Sequence, residues 1–240
     1  MQQPAQEAAQ DAAHASAHAS TLRITAPDGH AFDCWSMPAH GPSRGAVVVL
    51  QEIFGVNSHI RSVCAKLAQL GYEAYAPALF DRLQPGFASG YSRPEIDEAL
   101  KLLPRLDWQA MVADTLATAA RAGESGLPVA LMGFCLGASV AYMAAQQQAG
   151  LAAVVGYYGG QIVNHLDTAP QCPTLLHYGE TDHTIPLVDV ERIRAGRPDC
   201  TLHVYPAGHG FNCDERASFE PVSAALAWQR SMQWLASHKS

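Results

Sequence analysis

The chain has 240 residues, 48% of them hydrophobic and 15% charged, which is ample for a sizeable core and unlike a disordered chain. Fifteen basic residues against 22 acidic ones give a formal charge of −7, which argues against a nucleic-acid backbone or an anionic membrane surface as partner. The apolar runs fall far short of the roughly 20 residues needed to span a bilayer, and six cysteines without a C-x-x-C pair form neither a disulfide framework nor a zinc ribbon.

Residues 1–20 are rich in Ala, Gln, His and Ser and read as a disordered tail, with His14 and His18 four apart. Neither a basic n-region nor an apolar h-region is present, so no secretory signal is expected, and with the unpaired cysteines this points to a cytoplasmic setting. Residues 21–240 read as a single domain without repeats or a dividing linker. Pro27-Asp28-Gly29 is a turn signal between the β-type runs Thr21–Thr25 and His30–Ser36, predicting an antiparallel hairpin.

Six apolar, often β-branched runs follow: Ala46–Leu50, Glu73–Ala76, Val129–Met132, Ala152–Tyr157, Thr174–His177 and Thr201–Tyr205. Runs that are apolar throughout suit strands buried on both faces of a parallel sheet. Between them, Ser58 precedes Ile60, Val63, Leu67 and Leu70, and Gly71 follows: an N-cap, an apolar face and a stop. Leu106–Ala122, Ala138–Gln148, Val188–Ala195 and Pro221–Ala236 also read as helices. Alternation of this kind predicts an α/β fold with a mostly parallel central sheet, helices on both faces and the ligand site beyond the strands' carboxyl ends.

The most informative segment is Gly133-Phe-Cys135-Leu-Gly137, which stands between a strand and a helix. It is the G-x-S-x-G nucleophile elbow with cysteine in place of serine. Side chains at the flanking glycines would collide with the neighbouring strand and helix. The helix that starts behind Cys135 offers a positive dipole end and free N–H groups, favouring a thiolate and an oxyanion. Asp182 follows the run Thr174–His177, and His209 follows the final run. Nucleophile, acid and histidine thus occur in the order of the α/β-hydrolase fold, with His209 as base and Asp182 holding its tautomer. His183 is the competing base, but it precedes the last strand.

These motifs, with Gln51-Glu-Ile-Phe-Gly55, Ala76-Pro-Ala-Leu-Phe-Asp-Arg82, Gly156-Tyr-Tyr-Gly159 and Gly208-His-Gly-Phe211, resemble the dienelactone hydrolase family over residues 21–238. The resemblance implies an α/β-hydrolase fold and hydrolysis of a lactone or small ester; a cysteine nucleophile makes the intermediate an acyl-thioester, and because a thiolate leaves more readily than an amine, little peptidase activity is expected. It implies that Glu52 helps to activate Cys135 once substrate binds, and that the Ile53 and Leu136 amides form the oxyanion hole. Arg82 is implied as one of two arginines holding a substrate carboxylate, while Tyr157, Tyr158 and Phe54 are read as pocket or core aromatics. The second family arginine lies four residues past the histidine, where this chain has Cys213; Arg216 is near enough in sequence to substitute. Cys213 is read either as a small packing residue or as a thiol able to pair with Cys135 on oxidation.

No P-loop, G-x-G-x-x-G or H-E-x-x-H pattern is present, so neither a nucleotide cofactor nor a metal is implied. The expected partner is a small-molecule lactone or ester, with the protein a monomer or small homo-oligomer. Two rival readings remain: a hydrolase of uncharged esters with the same triad, and a non-enzymatic redox-active thiol or binding protein.

Overall fold

The computed structural model describes residues 19–238. All of the expected tail except Ala19 and Ser20, with its two histidines, lies outside the described residues. Eight strands form one sheet: β1 (Ser20–Thr25), β2 (Ala31–Met37), β3 (Ala46–Leu50), β4 (Glu73–Pro77), β5 (Val129–Phe134), β6 (Ala153–Tyr157), β7 (Thr174–Gly179) and β8 (Thr201–Tyr205). Their spatial order is β1-β2-β4-β3-β5-β6-β7-β8. The β1–β2 and β2–β4 pairings are antiparallel, and all others are parallel. This is the α/β-hydrolase architecture with its N-terminal antiparallel hairpin.

Period-two alternation explains how one sheet supports two cores. In β3, Val47 and Val49 join one apolar cluster with Ile60, Val63 and Leu67, while Val48 and Leu50 join the other with Met111, Val112 and Val140. The covering helices are α1 (Ser58–Gln69), α2 (Arg93–Leu100), α3 (Trp108–Ala122), α4 (Leu136–Gln147), α5 (Leu187–Gly196) and α6 (Pro221–Ser237). None of the described helices is long and apolar enough to cross a membrane.

Three local details differ from the sequence reading. The N-cap of α1 is Asn57, whose side chain accepts from the Ile60 amide at 3.3 Å, and Ser58 instead bonds Glu215 at 2.6 Å. Helix α2 escaped the apolar pattern because it buries only Ala99; its signal is the Ser92/Glu95 capping box. Helix α4 starts two residues earlier than expected, directly behind Cys135.

From β3 the chain passes to β4 on one side, and later to β5 on the other. The crevice beyond the carboxyl ends of β3 and β5 is therefore the topological switch point, where open α/β sheets place their ligands.

Candidate active site

Cys135 occupies the turn between β5 and α4 with φ 51° and ψ −112°. A residue with a side chain rarely adopts a positive φ, and such strain persists only where its surroundings enforce it. Here the Cys135 amide donates to the Tyr157 carbonyl at 2.9 Å, and the Gly137 amide donates to the Gln51 carbonyl at 3.0 Å. A Cβ on Gly133 would collide with the Gly137 backbone, and one on Gly137 would collide with the backbone of Leu50 and Gln51. The glycines thus let β3, β5 and α4 approach closely enough to lift the thiol out of the sheet. Cys135 stays partly exposed while nearly all its neighbours are buried.

The Cys135 Sγ lies 3.2 Å from His209 Nε2, and His209 Nδ1 lies 2.7 Å from Asp182 Oδ2. Asp182 is anchored through its other oxygen, which accepts from the amides of Thr184 at 2.8 Å and Ile185 at 3.1 Å. The Thr184 hydroxyl donates to that oxygen at 2.7 Å and sits 2.9 Å from His209 Nδ1. Thr184 therefore ties Asp182 and His209 together. It was missed in the sequence, although the Asx turn that it closes is a readable signal. Burial alone would disfavour a charged His209, but its contacts with the Cys135 sulfur and the Asp182 carboxylate outweigh it and push the imidazole pKa up to about 10. Asp182 is held below its usual range: burial raises it, and the bond to His209 more than reverses this. His183 is exposed.

Glu52 follows β3 and is 1% exposed. Its Oε1 accepts from Arg216 Nη1 at 2.9 Å, and its Oε2 accepts from the Tyr91 hydroxyl at 3.0 Å. Asn57 Nδ2 donates to that hydroxyl at 3.1 Å, so the Tyr91 proton is directed to Glu52. The Arg216 guanidinium lies 5.7 Å from the ring centroids of both Phe54 and Tyr91. A Cβ on Gly210, whose φ is 76°, would overlap that guanidinium. Tyr91 lies in a Gly/Ser-rich loop, and nothing in its spacing marked it.

Gln51 secures this loop: its Oε1 accepts from the Leu79 amide at 3.1 Å, and its Nε2 donates to the Glu52 carbonyl at 3.3 Å. Among the described residues, neither the Ile53 nor the Leu136 amide donates to a protein acceptor.

The family of hydrolases known as the dienelactone hydrolase family matches residues 33–239. The carboxymethylenebutenolidase of Pseudomonas putida is 33% identical over 226 residues, 90% of this chain and 95% of the relative. A Synechocystis sp. protein named as a candidate carboxymethylenebutenolidase is 36% identical over 208 residues, 78% of this chain and 83% of the relative. The crystal structure of a candidate dienelactone hydrolase from Klebsiella pneumoniae superposes with a TM-score of 0.76 at 29% identity, covering 91% of this chain and 98% of the other.

The chain belongs to the dienelactone hydrolase family. It is a hydrolase of that family, and the non-enzymatic alternative falls away.

Arg82, which the resemblance assigned to substrate, and Tyr157, read as a pocket or core aromatic, are both engaged elsewhere in this dienelactone hydrolase family member. Arg82 donates from Nε and Nη2 to Asp114 at 2.8 and 2.7 Å, and from Nη1 and Nη2 to Asp28 at 2.7 and 3.2 Å. Four of its N–H donors are spent on the protein's own carboxylates, two of them on the buried Asp114, so Arg82 serves as an internal clasp rather than a free carboxylate handle. Tyr157 is wholly buried, with its hydroxyl 2.7 Å from Ser231 Oγ and its ring 4.6 Å from that of His177. Its side chain belongs to the core, and it serves the elbow only through its carbonyl.

Tyr158, with φ 44°, packs its ring 5.0 Å from that of His209, and its buried hydroxyl has no partner among the described residues. Phe54 is 3% exposed and forms the wall behind Arg216 with Tyr91, 4.7 Å away ring to ring. All six cysteines are free. Burial, with Glu52 nearby, pushes the Cys213 thiol up to about 12, which makes it a poor nucleophile.

Proposed function

We propose that the protein hydrolyses a lactone or small carboxylic ester of the dienelactone type, with Cys135 as nucleophile, His209 as general base and acid, and Asp182 as its orienting carboxylate. The observation that carries the reading is the continuous relay Cys135–His209–Asp182, with separations of 3.2 and 2.7 Å, on a strained glycine-flanked elbow. The family membership and the carboxymethylenebutenolidase relatives support the substrate class.

The Cys135 thiol passes its proton to His209 Nε2, and its sulfur attacks the ester carbonyl. The Ile53 and Leu136 amides, unclaimed by protein acceptors among the described residues, donate to the resulting oxyanion. Collapse breaks the C–O bond, and the leaving oxygen takes the proton back from His209. Water, deprotonated by His209, then attacks the acyl-thioester, and the Cys135 sulfur leaves to be reprotonated. Against an amide, the thiolate leaves more readily than the amine, so peptide turnover is expected to be minor.

Glu52 supplies the dependence on substrate. In the unliganded protein Arg216 and Tyr91 hold its carboxylate. A substrate carboxylate that pairs with Arg216 competes with Glu52 for the same guanidinium and releases it toward the thiol, where its carboxylate accepts the S–H proton and relays it to His209, so that no negative charge is left beside the sulfur. Arg216 thus takes the part that the resemblance gave to the position of Cys213.

A second reading, hydrolysis of uncharged esters by the same residues, is favoured by one observation: Arg82 is already committed to Asp28 and Asp114. A substrate series with and without a carboxylate, run beside Cys135→Ala, separates the two. Dienelactone turnover that vanishes in the variant supports the first, and turnover confined to neutral esters supports the second. Equal turnover by Cys135→Ala and the parent rejects both.

A further inference from the structure

His59, in the first turn of α1, is 1% exposed, yet neither of its ring nitrogens has a hydrogen-bond partner among the described residues. Asp214 Oδ1 is 3.9 Å from Nδ1, beyond hydrogen-bond range, and the Phe134 ring covers the imidazole edge-on at 5.5 Å. An imidazole removed from water with both nitrogens idle is costly, and a group of this kind calls for an explanation. The catalytic relay does not use it.

The neighbours of His59 provide one. A ring nitrogen of His59, a carboxylate oxygen of Glu52 and the Cys213 sulfur all lie within 4.8 Å of one another, and all three residues are buried. Zinc takes imidazole nitrogen, carboxylate oxygen and thiolate sulfur at about 2.0–2.3 Å, which puts neighbouring ligands about 3.3–3.8 Å apart. Closing the three donors by about an ångström meets that geometry. Magnesium and calcium prefer oxygen donors, so the nitrogen and sulfur select a softer ion. Three protein ligands leave the fourth corner to water.

We propose that Glu52, His59 and Cys213 bind a divalent cation of the zinc class, and that occupancy withholds Glu52 from the reaction. On binding, the Cys213 S–H bond breaks, the proton leaves to solvent and a sulfur–metal bond forms, with no change of oxidation state. The cation displaces either Arg216 or Tyr91 from Glu52. The second half of the proposal rests on the role given to Glu52 above; the first half does not. The three ligands are scattered over residues 52 to 213, so no spacing motif announces them.

The test is a cobalt(II) titration of the full-length Cys135→Ala protein, in which the catalytic thiol cannot ligate. One equivalent of Co²⁺ should produce a near-ultraviolet sulfur-to-metal charge-transfer band. Cys213→Ser in the same background should abolish the band, and His59→Leu should weaken affinity at least about tenfold. Histidines outside the site give no sulfur band. An absent band, or one that survives Cys213→Ser, overturns the site. Should Cys213→Ser fail to fold, His59→Leu decides alone, since it only removes an unpartnered imidazole; unchanged cobalt affinity there overturns the site.

In the otherwise unaltered enzyme, Zn²⁺ should lower ester turnover, with a half-inhibitory concentration at least about tenfold higher in His59→Leu. Cobalt binding at the site without any such zinc inhibition would overturn the inhibitory half and would count against the role of Glu52, while leaving the Cys135 relay in place.

Discussion

Arg216 Nη1 stands 2.9 Å from Glu52 Oε1, an ion pair between side chains that are 20% and 1% exposed. The carboxylate assigned to the cysteine is thereby held by an arginine seven residues after His209, reached across a loop that turns at Gly210. Removing one partner of a buried pair leaves the other charge uncompensated, at a typical cost of about 3–5 kcal/mol. Arg216→Met is therefore expected to lower the melting temperature. It should also cut kcat/KM for carboxylate-bearing substrates at least about 100-fold, with a much smaller effect on neutral esters. Parallel kinetics on the two ester classes checks this.

Arg82 carries the opposite expectation. Its partner Asp114 is 1% exposed in its side chain, so Arg82→Ala strands a buried carboxylate and should cost about 3 kcal/mol of stability. The folded fraction should keep its kcat/KM, because none of the contacts of Arg82 reaches the relay. Denaturant melts and active-site-titrated kinetics separate the two effects.

Thr184 touches both Asp182 and His209 but no reacting atom. Thr184→Val keeps the shape and removes the hydroxyl, loosening the imidazole. Loss of a hydrogen bond to a charged group is worth about 1.5–3 kcal/mol, so kcat should fall at least about tenfold with KM little changed. Rescue by Thr184→Ser would identify the hydroxyl as the cause.

His177 sets a pH dependence of stability. Burial foremost, then the charges of His203 and Arg230, hold its pKa well below the usual value, while its nitrogens lie 2.8 Å from the Tyr205 hydroxyl and 3.0 Å from Ser231 Oγ. The unfolded chain takes up this proton below about pH 6.5, and the native protein does not. The unfolded state then binds more protons, so stability falls as pH drops below about 6.5, by up to about 1.4 kcal/mol per pH unit. His177→Gln should flatten that limb. Urea melts at pH 5 and pH 7 measure the difference.

The sheet and the relay were legible because each rests on a local signal. Apolar runs such as Ala46–Leu50 carry their burial in their composition, and Gly133 and Gly137 mark the elbow because close backbone approach admits only glycine there. Asp182 and His209 were found by following chain order past strand ends. What stayed hidden depends on side-chain direction across long separations. The clasp on Arg82 is set by Asp28 and Asp114, and the partner of Glu52 lies 164 residues away. The first turn of α1 was misplaced by one residue, since Asn57 and Ser58 are both good caps and only the fold chooses. Tyr91 and His59 gain their meaning only from what surrounds them.

The central claim, covalent catalysis by Cys135, is tested most directly by rapid-quench intact mass spectrometry during turnover of an activated ester. The account predicts a transient mass gain of one acyl group, mapped to the peptide carrying Cys135, with neither adduct nor turnover in Cys135→Ala. Turnover by Cys135→Ala within tenfold of the parent rate, or an adduct on another residue, would contradict it.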